Sequence, residues 1–265
     1  GLGLTGAGLT VGVWDGGAVR ATHQEFGGRV VSGDGTFTAA DHATHVAGTI
    51  GAAGVDPAAK GMATAINIRS YDWTNDTVEM SADAAQLIAS NHSYGLGVGW
   101  MIYPAAALGL TTPTGLVDVW WEDRFLQASE ATDFGKYDQS ARDLDQVLYA
   151  NPGLLSVWSS GNDRNDSFTG ISGNNQYVAW FSGDPGGIGY AGPGWYLVPD
   201  SGATAAPGSD GDGGTGYDSL SATQNAKNSL VVGSVGDVTA DPYTSAMIAT
   251  AIYSSYGPTD DGRVK

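Results

Sequence analysis

The chain has 265 residues, no cysteine, 41 glycines, 15% charged residues and a formal net charge of −17 at pH 7. The missing cysteines exclude disulfides, thiolate catalysis and cysteine-based zinc sites, and the acidic balance makes nucleic acid a poor partner, because binding it needs a basic face. The length suits one large α/β domain, and no apolar run approaches the ~18 residues that a membrane span requires.

An apolar run that ends in an acid lies near the start of the chain. Residues 9–17 read LTVGVWDGG, which predicts a strand ending at Asp15 before a glycine turn. In an open α/β sheet the chemistry gathers at the carboxyl ends of the strands, so Asp15 is a candidate site residue. Taken alone, Asp15 is explained equally well as a turn acid. Residues 18–40 are predicted to form a loop.

A polar start followed by small and apolar residues characterises residues 41–50, DHATHVAGTI. This pattern predicts a helix over 42–52 whose first turn faces a cleft and whose remainder is buried. His42 lies at the start of that helix, and imidazole can accept and return a proton near neutral pH. His42 is therefore a candidate general base, although a capping or core histidine is the simpler interpretation of one isolated residue.

The other histidines are assigned structural roles. His45 follows His42 by three residues, so a His-x-x-His zinc pair is conceivable, but the acid of the zinc-protease pattern is missing. His45 is therefore predicted to be a buried, hydrogen-bonded residue. His23 and His92 are predicted to have structural or surface roles.

The next elements alternate between strand and helix. A strand is predicted within 60–71, a helix over 81–89 with Ser81 as its cap, and a stronger helix over 138–150. The stretch 154–160 then reads as a buried strand that ends in a polar tip at 161–163, which completes one βαβ crossover unit.

Residues 164–218 are rich in Gly, Asn, Ser and Asp, and such a long irregular stretch predicts β-hairpins and a surface insertion. Its aromatic residues over 168–196 suit the small core of an insertion or, alternatively, a carbohydrate or peptide platform. Asp210, Asp212 and Asp218 supply oxygen ligands that suit calcium, although a solvated loop explains them equally well. A buried strand is predicted over 229–235.

Five segments taken together resemble the ordered landmarks of subtilisin-like serine proteases: Val11–Gly17, His42–Ile50, Asn91–Gly95, Ser159–Asn162 and Asn225–Val235. The Asp-then-His order matches the triad template of that family. The resemblance implies an α/β fold of three layers, in which a mostly parallel sheet is flanked by helices. It also implies that residues 1–265 form a single catalytic domain with a loop- and β-rich insertion over 164–218.

The resemblance assigns roles to individual residues. Asp15 would orient the imidazole, His42 would be the general base and then the general acid, and the Asn162 side-chain amide would stabilise the oxyanion. Ser93, Tyr94 and Gly95 would pair with the substrate backbone as an edge strand. Together with Ser159, Ser160 and Gly161 they would line the pocket that holds the substrate residue before the scissile bond. Calcium binding is common in the family, which supports a structural calcium ion at Asp210, Asp212 and Asp218.

The nucleophile motif of the family, of Gly-Thr-Ser-Met-Ala type, does not occur in the sequence. The nearest match is YTSAMIA at 243–249, which lacks the glycine and precedes YSSYGPT at 253–259, a stretch resembling the family's segment upstream of the nucleophile. The domain is therefore predicted to lack its C-terminal, Ser-bearing part. The expected partner is a C-terminal fragment of the same precursor that carries the Ser and stays docked after cleavage, so this chain alone is expected to be inactive.

The predicted function is a serine endopeptidase that acts on polypeptide substrates through an Asp-His-Ser triad. Neither nucleic acid nor a membrane is an expected partner. The N-terminal sequence GLGL looks like a mature end, so any signal or pro-segment is expected to have been removed already. A secreted or extracytoplasmic location is expected. The alternative is a non-catalytic, protease-like peptide-binding protein that keeps the groove.

Overall fold

The structure, a computed structural model, describes residues 3–126, 131–171, 175–211, 216–239 and 242–265. In these ranges the strands are β1 Thr10–Asp15, β2 Val30–Ser32, β3 Asn67–Asp72, β4 Ala89–His92, β5 Trp100–Pro104, β6 Leu116–Asp123, β7 Leu155–Ser159, β8 Gln176–Phe181, β9 Gly194–Pro199 and β10 Leu230–Val232. The α-helices are α1 Asp41–Gly51, α2 Asp76–Asp83 and α3 Gln139–Ala150.

The chain divides into two compact units. The first unit comprises Gly1–Tyr94, Gln139–Ser159 and Ala226–Val232, and the second comprises Gly95–Asp138, Ser160–Asn225 and Gly233–Lys265. Each unit has its own sheet.

The sheet of the first unit is parallel, with the described strands in the order β10-β7-β4-β1-β3-β2. On one face, Ala43 and Ala47 of α1 pack with Val11, Val13 and Ile68 in a buried cluster. α2 covers the other face, where its Glu79 and Asp83 accept hydrogen bonds from Trp14 Nε1 and from the Tyr71 hydroxyl. The predicted three-layer α/β class, with a mostly parallel sheet between helices, is confirmed.

A row of flat rings crosses the α2-facing side of this sheet. Tyr71, Trp14, His92 and Trp158 stack in that order, with centroid separations of 4.0, 5.1 and 4.1 Å. The strand register pairs each ring with the next, because aligned parallel strands place equivalent side chains about 4.8 Å apart. These four rings are buried, so they stabilise the central strands directly beneath Asp15.

Three predicted elements differ from the structure. The helix expected over 81–89 is α2, which begins at Asp76, and Ala89 already belongs to β4, because pairing of Ala89 with Val11 of β1 outweighs local helix propensity. The strand expected to be buried over 229–235 is β10, whose Leu230 and Val232 are 49% and 48% exposed because β10 lies at the edge of the sheet. The predicted loop over 18–40 contains the short strand β2.

The second unit contains a sheet with the described strands in the order β5-β6-β8-β9. β6 and β8 run parallel, while β5 and β9 pair antiparallel at the two edges. Both faces bury apolar side chains, with Trp100, Trp120 and Tyr177 on one face and Val117 and Val178 on the other. The hairpin expected within 164–218 is therefore present as β8 and β9, whereas no sequence pattern predicted β5 and β6.

A buried carboxylate fixes the loop that follows α1 in the first unit. Glu25 accepts hydrogen bonds from the backbone N–H groups of Gly54, Val55 and Asp56 at 2.7, 3.0 and 2.8 Å, and the residue is 4% exposed. These backbone donors lower the pKa of Glu25 below its ordinary value of 4.5 against the opposing effect of burial, with a smaller contribution from His23. The ionised form is therefore the form that the fold stabilises.

We expect Glu25→Gln to lower Tm by about 5 °C at pH 7, because a neutral amide cannot accept three N–H groups as strongly as a carboxylate. The pKa of Glu25 is depressed by folding, so its contribution is complete above about pH 4.5 and is lost as the pH falls below that value. Tm measured from pH 7 to pH 3 should therefore show the two proteins converging at low pH. Asp184→Asn, in an exposed loop, is the control and should change Tm little at any pH. A constant difference across the pH range would contradict the assignment.

Candidate active site

The acid of the site lies at the end of a central strand. β1 has neighbours on both sides in the parallel sheet and ends at Asp15, which is only 3% exposed. The Gly16 backbone N–H donates to Asp15 Oδ1 at 2.8 Å, which fixes the carboxylate as the chain turns away from the sheet. The strand pattern of residues 9–17 thus places a fixed, buried acid at the carboxyl edge of the sheet.

The base of the site lies in the first turn of α1. Ala40 has an extended backbone (φ −110°, ψ 141°), so the helix begins at Asp41 and His42 is its second residue. Ala43 and Ala47 face the sheet and are fully buried, and this orientation leaves the His42 side chain 60% exposed. The small residues of the DHATHVAGTI pattern let α1 pack closely against the sheet while its first turn remains open to solvent.

Asp15 and His42 are in direct contact. His42 Nδ1 lies 2.8 Å from both Oδ1 and Oδ2 of Asp15. A carboxylate can only accept, so Nδ1 carries the proton and the lone pair of the neutral imidazole lies on Nε2. An exposed imidazole held in this tautomer can remove a proton from a hydroxyl, and the buried Asp15 carboxylate can stabilise the resulting cation.

His45 is exposed, so the prediction that it is buried is wrong. It lies one helical turn after His42 and therefore shares the outward face of α1, whereas Ala43 and Ala47 form the inward face. A cleft of about 610 Å³ follows this outward face. Its lining includes Asp41, Thr44 and His45 of α1 together with Arg20 and Lys60. The cleft lies beside α1, but neither His42 nor Asp15 is among the residues that line it.

The predicted substrate strand begins where β4 ends. Ser93 and Tyr94 follow His92 directly, and Gly95 is the first residue of the second unit. The Tyr94 hydroxyl donates to Asp76 Oδ2 at 2.7 Å, and its ring packs edge-on against Trp73 and Trp158. Because the Tyr94 side chain is engaged in the first unit, its backbone is the part that can pair with a substrate.

A buried hydrogen-bond network fixes Tyr94 from inside the sheet. The Tyr94 hydroxyl donates its only proton to Asp76. The hydroxyl oxygen therefore accepts a hydrogen bond from His92 Nδ1–H at 2.9 Å. His92 Nε2 lies 2.9 Å from Ser90 Oγ. Burial lowers the pKa of His92 to about 3, which keeps the ring neutral. The predicted structural or surface role of His92 is therefore a buried structural one.

The remaining predicted pocket residues follow β7. Ser159 is its last residue and belongs to the first unit, whereas Ser160, Gly161 and Asn162 belong to the second unit. Ser160 is buried, Gly161 adopts a left-handed φ of +99°, and Asn162 is exposed. The structure thus brings Asp15 and His42 together and describes Asn162 within the other unit, on a turn that directly continues a strand end.

The described part of the predicted calcium loop belongs to the second unit. Both carboxylate oxygens of Asp210 accept the Trp100 backbone N–H, and burial, with smaller effects of Asp163, Asp166 and Glu122, raises the pKa of Asp210 to about 9. Asp218 is described and Asp212 lies outside the described residues. No group of three or more His, Asp or Glu side chains is arranged to hold a metal ion in the described ranges, so the calcium site stays a prediction.

Comparisons with known proteins point to one family. The family model for subtilases (Peptidase_S8) matches residues 6–265 of this chain. The search of curated proteins found no match.

Solved structures with a related fold include one titled "S41 Psychrophilic Protease", which is 14% identical and has a TM-score of 0.50. The match covers 95% of this chain and 60% of that chain. MycP1 with its N-terminal propeptide removed is 16% identical (TM-score 0.41; 97% and 65% covered), and a cold adapted subtilisin-like serine proteinase is 20% identical (TM-score 0.34; 63% and 51% covered). The chain thus spans between 51% and 65% of the length of these three structures.

Proposed function

The chain belongs to the subtilase family, and from this premise we propose that it provides the acid–base machinery of a serine endopeptidase. The observation that carries the proposal is the contact of Asp15 with His42, in which an exposed imidazole is held by a buried carboxylate at 2.8 Å. Polypeptides are the substrate class that the family implies. The reaction is acyl transfer to a serine hydroxyl, followed by hydrolysis.

The roles of the two residues follow from their protonation states. His42 Nε2 takes the proton of the serine hydroxyl as the serine oxygen attacks the scissile carbonyl carbon, and the carbonyl π electrons move onto oxygen. The imidazolium is stabilised by Asp15. His42 then gives this proton to the leaving amine as the C–N bond breaks. In the second half of the reaction it takes a proton from the water that attacks the acyl carbon, and returns it to the serine oxygen as the acyl–oxygen bond breaks.

The oxyanion formed in this step needs a hydrogen-bond donor, and we assign that role to the Asn162 side-chain amide. Its position supports the assignment, because Asn162 follows the carboxyl end of β7, a strand of the sheet whose β1 ends in Asp15. The exposed amide is available to a ligand. The backbones of Ser93, Tyr94 and Gly95, with Ser159, Ser160 and Gly161, would hold the substrate chain on the acyl side.

Asn162→Ala is expected to lower kcat by about 10²- to 10³-fold with little change in KM, because the amide acts on charge that exists only in the transition state. The magnitude is the one known for the oxyanion asparagine of subtilisin. Steady-state kinetics on a peptide substrate measures it. Asn165→Ala, an exposed asparagine three residues further along the chain, is the matched control and should leave kcat unchanged. Equal effects of the two substitutions would remove Asn162 from the mechanism.

The nucleophile is proposed to come from a segment outside residues 1–265, since no Gly-Thr-Ser motif occurs within them. Ser245, the nearest match, begins a short 3-10 turn at Ser245–Met247 in the second unit. We propose that the Ser-bearing segment is a C-terminal part of the same precursor and that residues 1–265 need it for activity. A fluorophosphonate probe applied to the product of the full gene should label a serine beyond Lys265, and intact mass should identify the labelled piece. Label on Ser245 would contradict the proposal.

A non-catalytic peptide-binding protein that keeps the protease groove is the competing function. Probe labelling separates the two, because only an activated serine reacts and because His42→Ala should abolish the reaction. Binding of a peptide without labelling of the full gene product would favour the competing function.

An extracytoplasmic location is proposed on membership of the subtilase family. In the described ranges, no helix has the length and apolar character needed to cross a membrane. Calcium at Asp210, Asp212 and Asp218 is likewise proposed on the resemblance, and a rise in Tm on adding calcium would support it.

A further inference from the structure

Residues Ser160, Gly161, Asn162 and Asp163 form a turn, here called the 160–163 turn. The carboxylate of its last residue, Asp163, packs against the turn itself. Gly161 has a φ of +99°, and a Cβ at this position would lie 2.6 Å from Asp163 Oδ2 and 3.0 Å from Ser255 Oγ. Only glycine therefore fits where the Asp163 side chain folds back under the turn. The neighbours of Asn162 are in this way closely packed, although Asn162 itself is exposed.

Ser255 contacts the turn on both sides of Asn162. Its backbone N–H donates to the Gly161 carbonyl at 3.2 Å, and its hydroxyl oxygen accepts the Asp163 backbone N–H at 3.0 Å. The same hydroxyl donates to Asp163 Oδ2 at 3.2 Å. Ser255 is 3% exposed, so these hydrogen bonds are shielded from competing water. One buried residue thus restrains the residues immediately before and after Asn162.

The protonation state of Asp163 fits this arrangement at neutral pH. Burial, with a smaller effect of Asp166, raises the pKa of Asp163 to about 6, while hydrogen bonds from Ser255 and from the backbone of the turn oppose the rise. Above that pH the carboxylate is ionised and accepts the Ser255 hydroxyl proton. A charge-assisted hydrogen bond of this kind is stronger than one between neutral groups.

Ser254 supports the start of the same turn. Its Oγ lies 3.2 Å from Ser160 Oγ and accepts the Ser234 backbone N–H at 2.9 Å. Ser254 and Ser160 are both buried. The YSSYGPT stretch at 253–259, to which the proposed mechanism assigns no role, therefore contributes two consecutive serines that hold the 160–163 turn.

We propose that Ser255 is a positioning residue for Asn162, holding its backbone through Gly161 and Asp163 so that the side-chain amide meets the developing oxyanion. This inference rests on the proposed role of Asn162 in catalysis. An oxyanion donor must lie 2.7–3.1 Å from the charged oxygen, so a turn that relaxes by a fraction of an ångström loses much of the stabilisation. Ground-state binding of the peptide uses other contacts and is affected little.

The test measures kcat and KM at pH 8 for the full gene product, which includes the Ser-bearing segment. Ser255→Ala is expected to lower kcat by about 10- to 100-fold with KM within about twofold, a part of the loss that removal of the whole donor causes. Ser255→Thr retains the hydroxyl and should restore most of kcat. If Ser255→Ala does not fold, Ser255→Cys, which keeps the volume but is a weak donor, takes its place.

The matched control is Thr204→Val, in the same unit. Thr204 is also a buried residue whose hydroxyl lies near two partners, the carbonyls of Pro199 and Ser201, at 2.8 and 3.1 Å. Loss of the Thr204 hydroxyl should lower stability without lowering kcat. If the role of Ser255 were merely structural, Ser255→Ala and Thr204→Val would have the same effect on kcat. An equal fall in kcat for both variants would overturn the inference.

A double variant separates this inference from the proposed function. Ser255→Ala added to Asn162→Ala should cause no further loss of kcat, because Ser255 acts through the amide that is already removed. Losses that multiply would overturn the positioning role, as would an unchanged kcat in Ser255→Ala while Asn162→Ala is impaired. If Asn162→Ala itself keeps full kcat, the proposed oxyanion role fails, and the positioning role fails with it.

Discussion

Replacing His42 with Ala is expected to lower kcat by about 10⁶-fold in the full gene product, the size of loss that removing the triad histidine causes in subtilisin. No other group described at this edge of the first unit combines an exposed base with a buried carboxylate partner at 2.8 Å. Without the imidazole the serine keeps its proton, and any remaining turnover comes from substrate binding and oxyanion stabilisation.

The matched control for His42→Ala is His45→Ala. Both histidines lie on the exposed face of α1, one helical turn apart, and both substitutions remove an imidazole from the same helix. His45→Ala should keep kcat within a few fold. Tm of His45→Ala should stay near that of the parent because its side chain is exposed, whereas His42→Ala removes a donor from the buried Asp15 carboxylate and should lower Tm modestly. A fall in kcat of less than tenfold for His42→Ala, or an equal fall in kcat for both variants, would contradict the proposed mechanism.

Replacing Asp15 with Asn is expected to lower kcat by about 10⁴-fold, with little effect on KM, although the two side chains have nearly the same shape. The Asn amide can donate to His42 Nδ1, which favours the tautomer with its proton on Nε2. That tautomer cannot act as a base toward the serine. The ¹⁵N chemical shifts of the His42 ring should report the change of tautomer directly, in a readout that needs no nucleophile.

Asp72→Asn is the control for Asp15→Asn. Asp72 is the last residue of β3 and lies opposite Asp15 in the strand register, but its Oδ1 accepts from the Thr74 backbone N–H. The substitution removes the same charge from the same edge of the sheet without touching His42. A comparable loss of kcat in Asp72→Asn would mean that general electrostatics, rather than the orientation of His42, explains the effect of Asp15.

The contact of Asp15 with His42 was predictable from the sequence. Residues 9–15 read as a strand that ends in an acid, and residues 41–50 read as a helix that begins beside a histidine. Both patterns are local, since strand alternation, a glycine turn and a run of small residues act within a few positions. The family resemblance then supplied the order in which the two segments meet.

Other features depended on partners far away in the chain and were missed. Ala89 belongs to β4 because it pairs with Val11 of β1. His45 is exposed because α1 packs on the sheet through its opposite face. β5 and β6 carry no alternation clear enough to predict, and their burial comes from both faces of the second sheet.

The sequence by itself determined the chemistry available to this protein: one acid and one imidazole in local settings suited to proton transfer, a candidate amide, no thiol, and no recognisable nucleophile motif. Only the tertiary structure decided which other residues hold these functional groups in position. The hydrogen bonds of Ser255 with Gly161 and Asp163 join residues far apart in sequence. A hydrogen bond depends on distance and direction in space, and no pattern of neighbouring residues encodes these for partners about 90 positions apart.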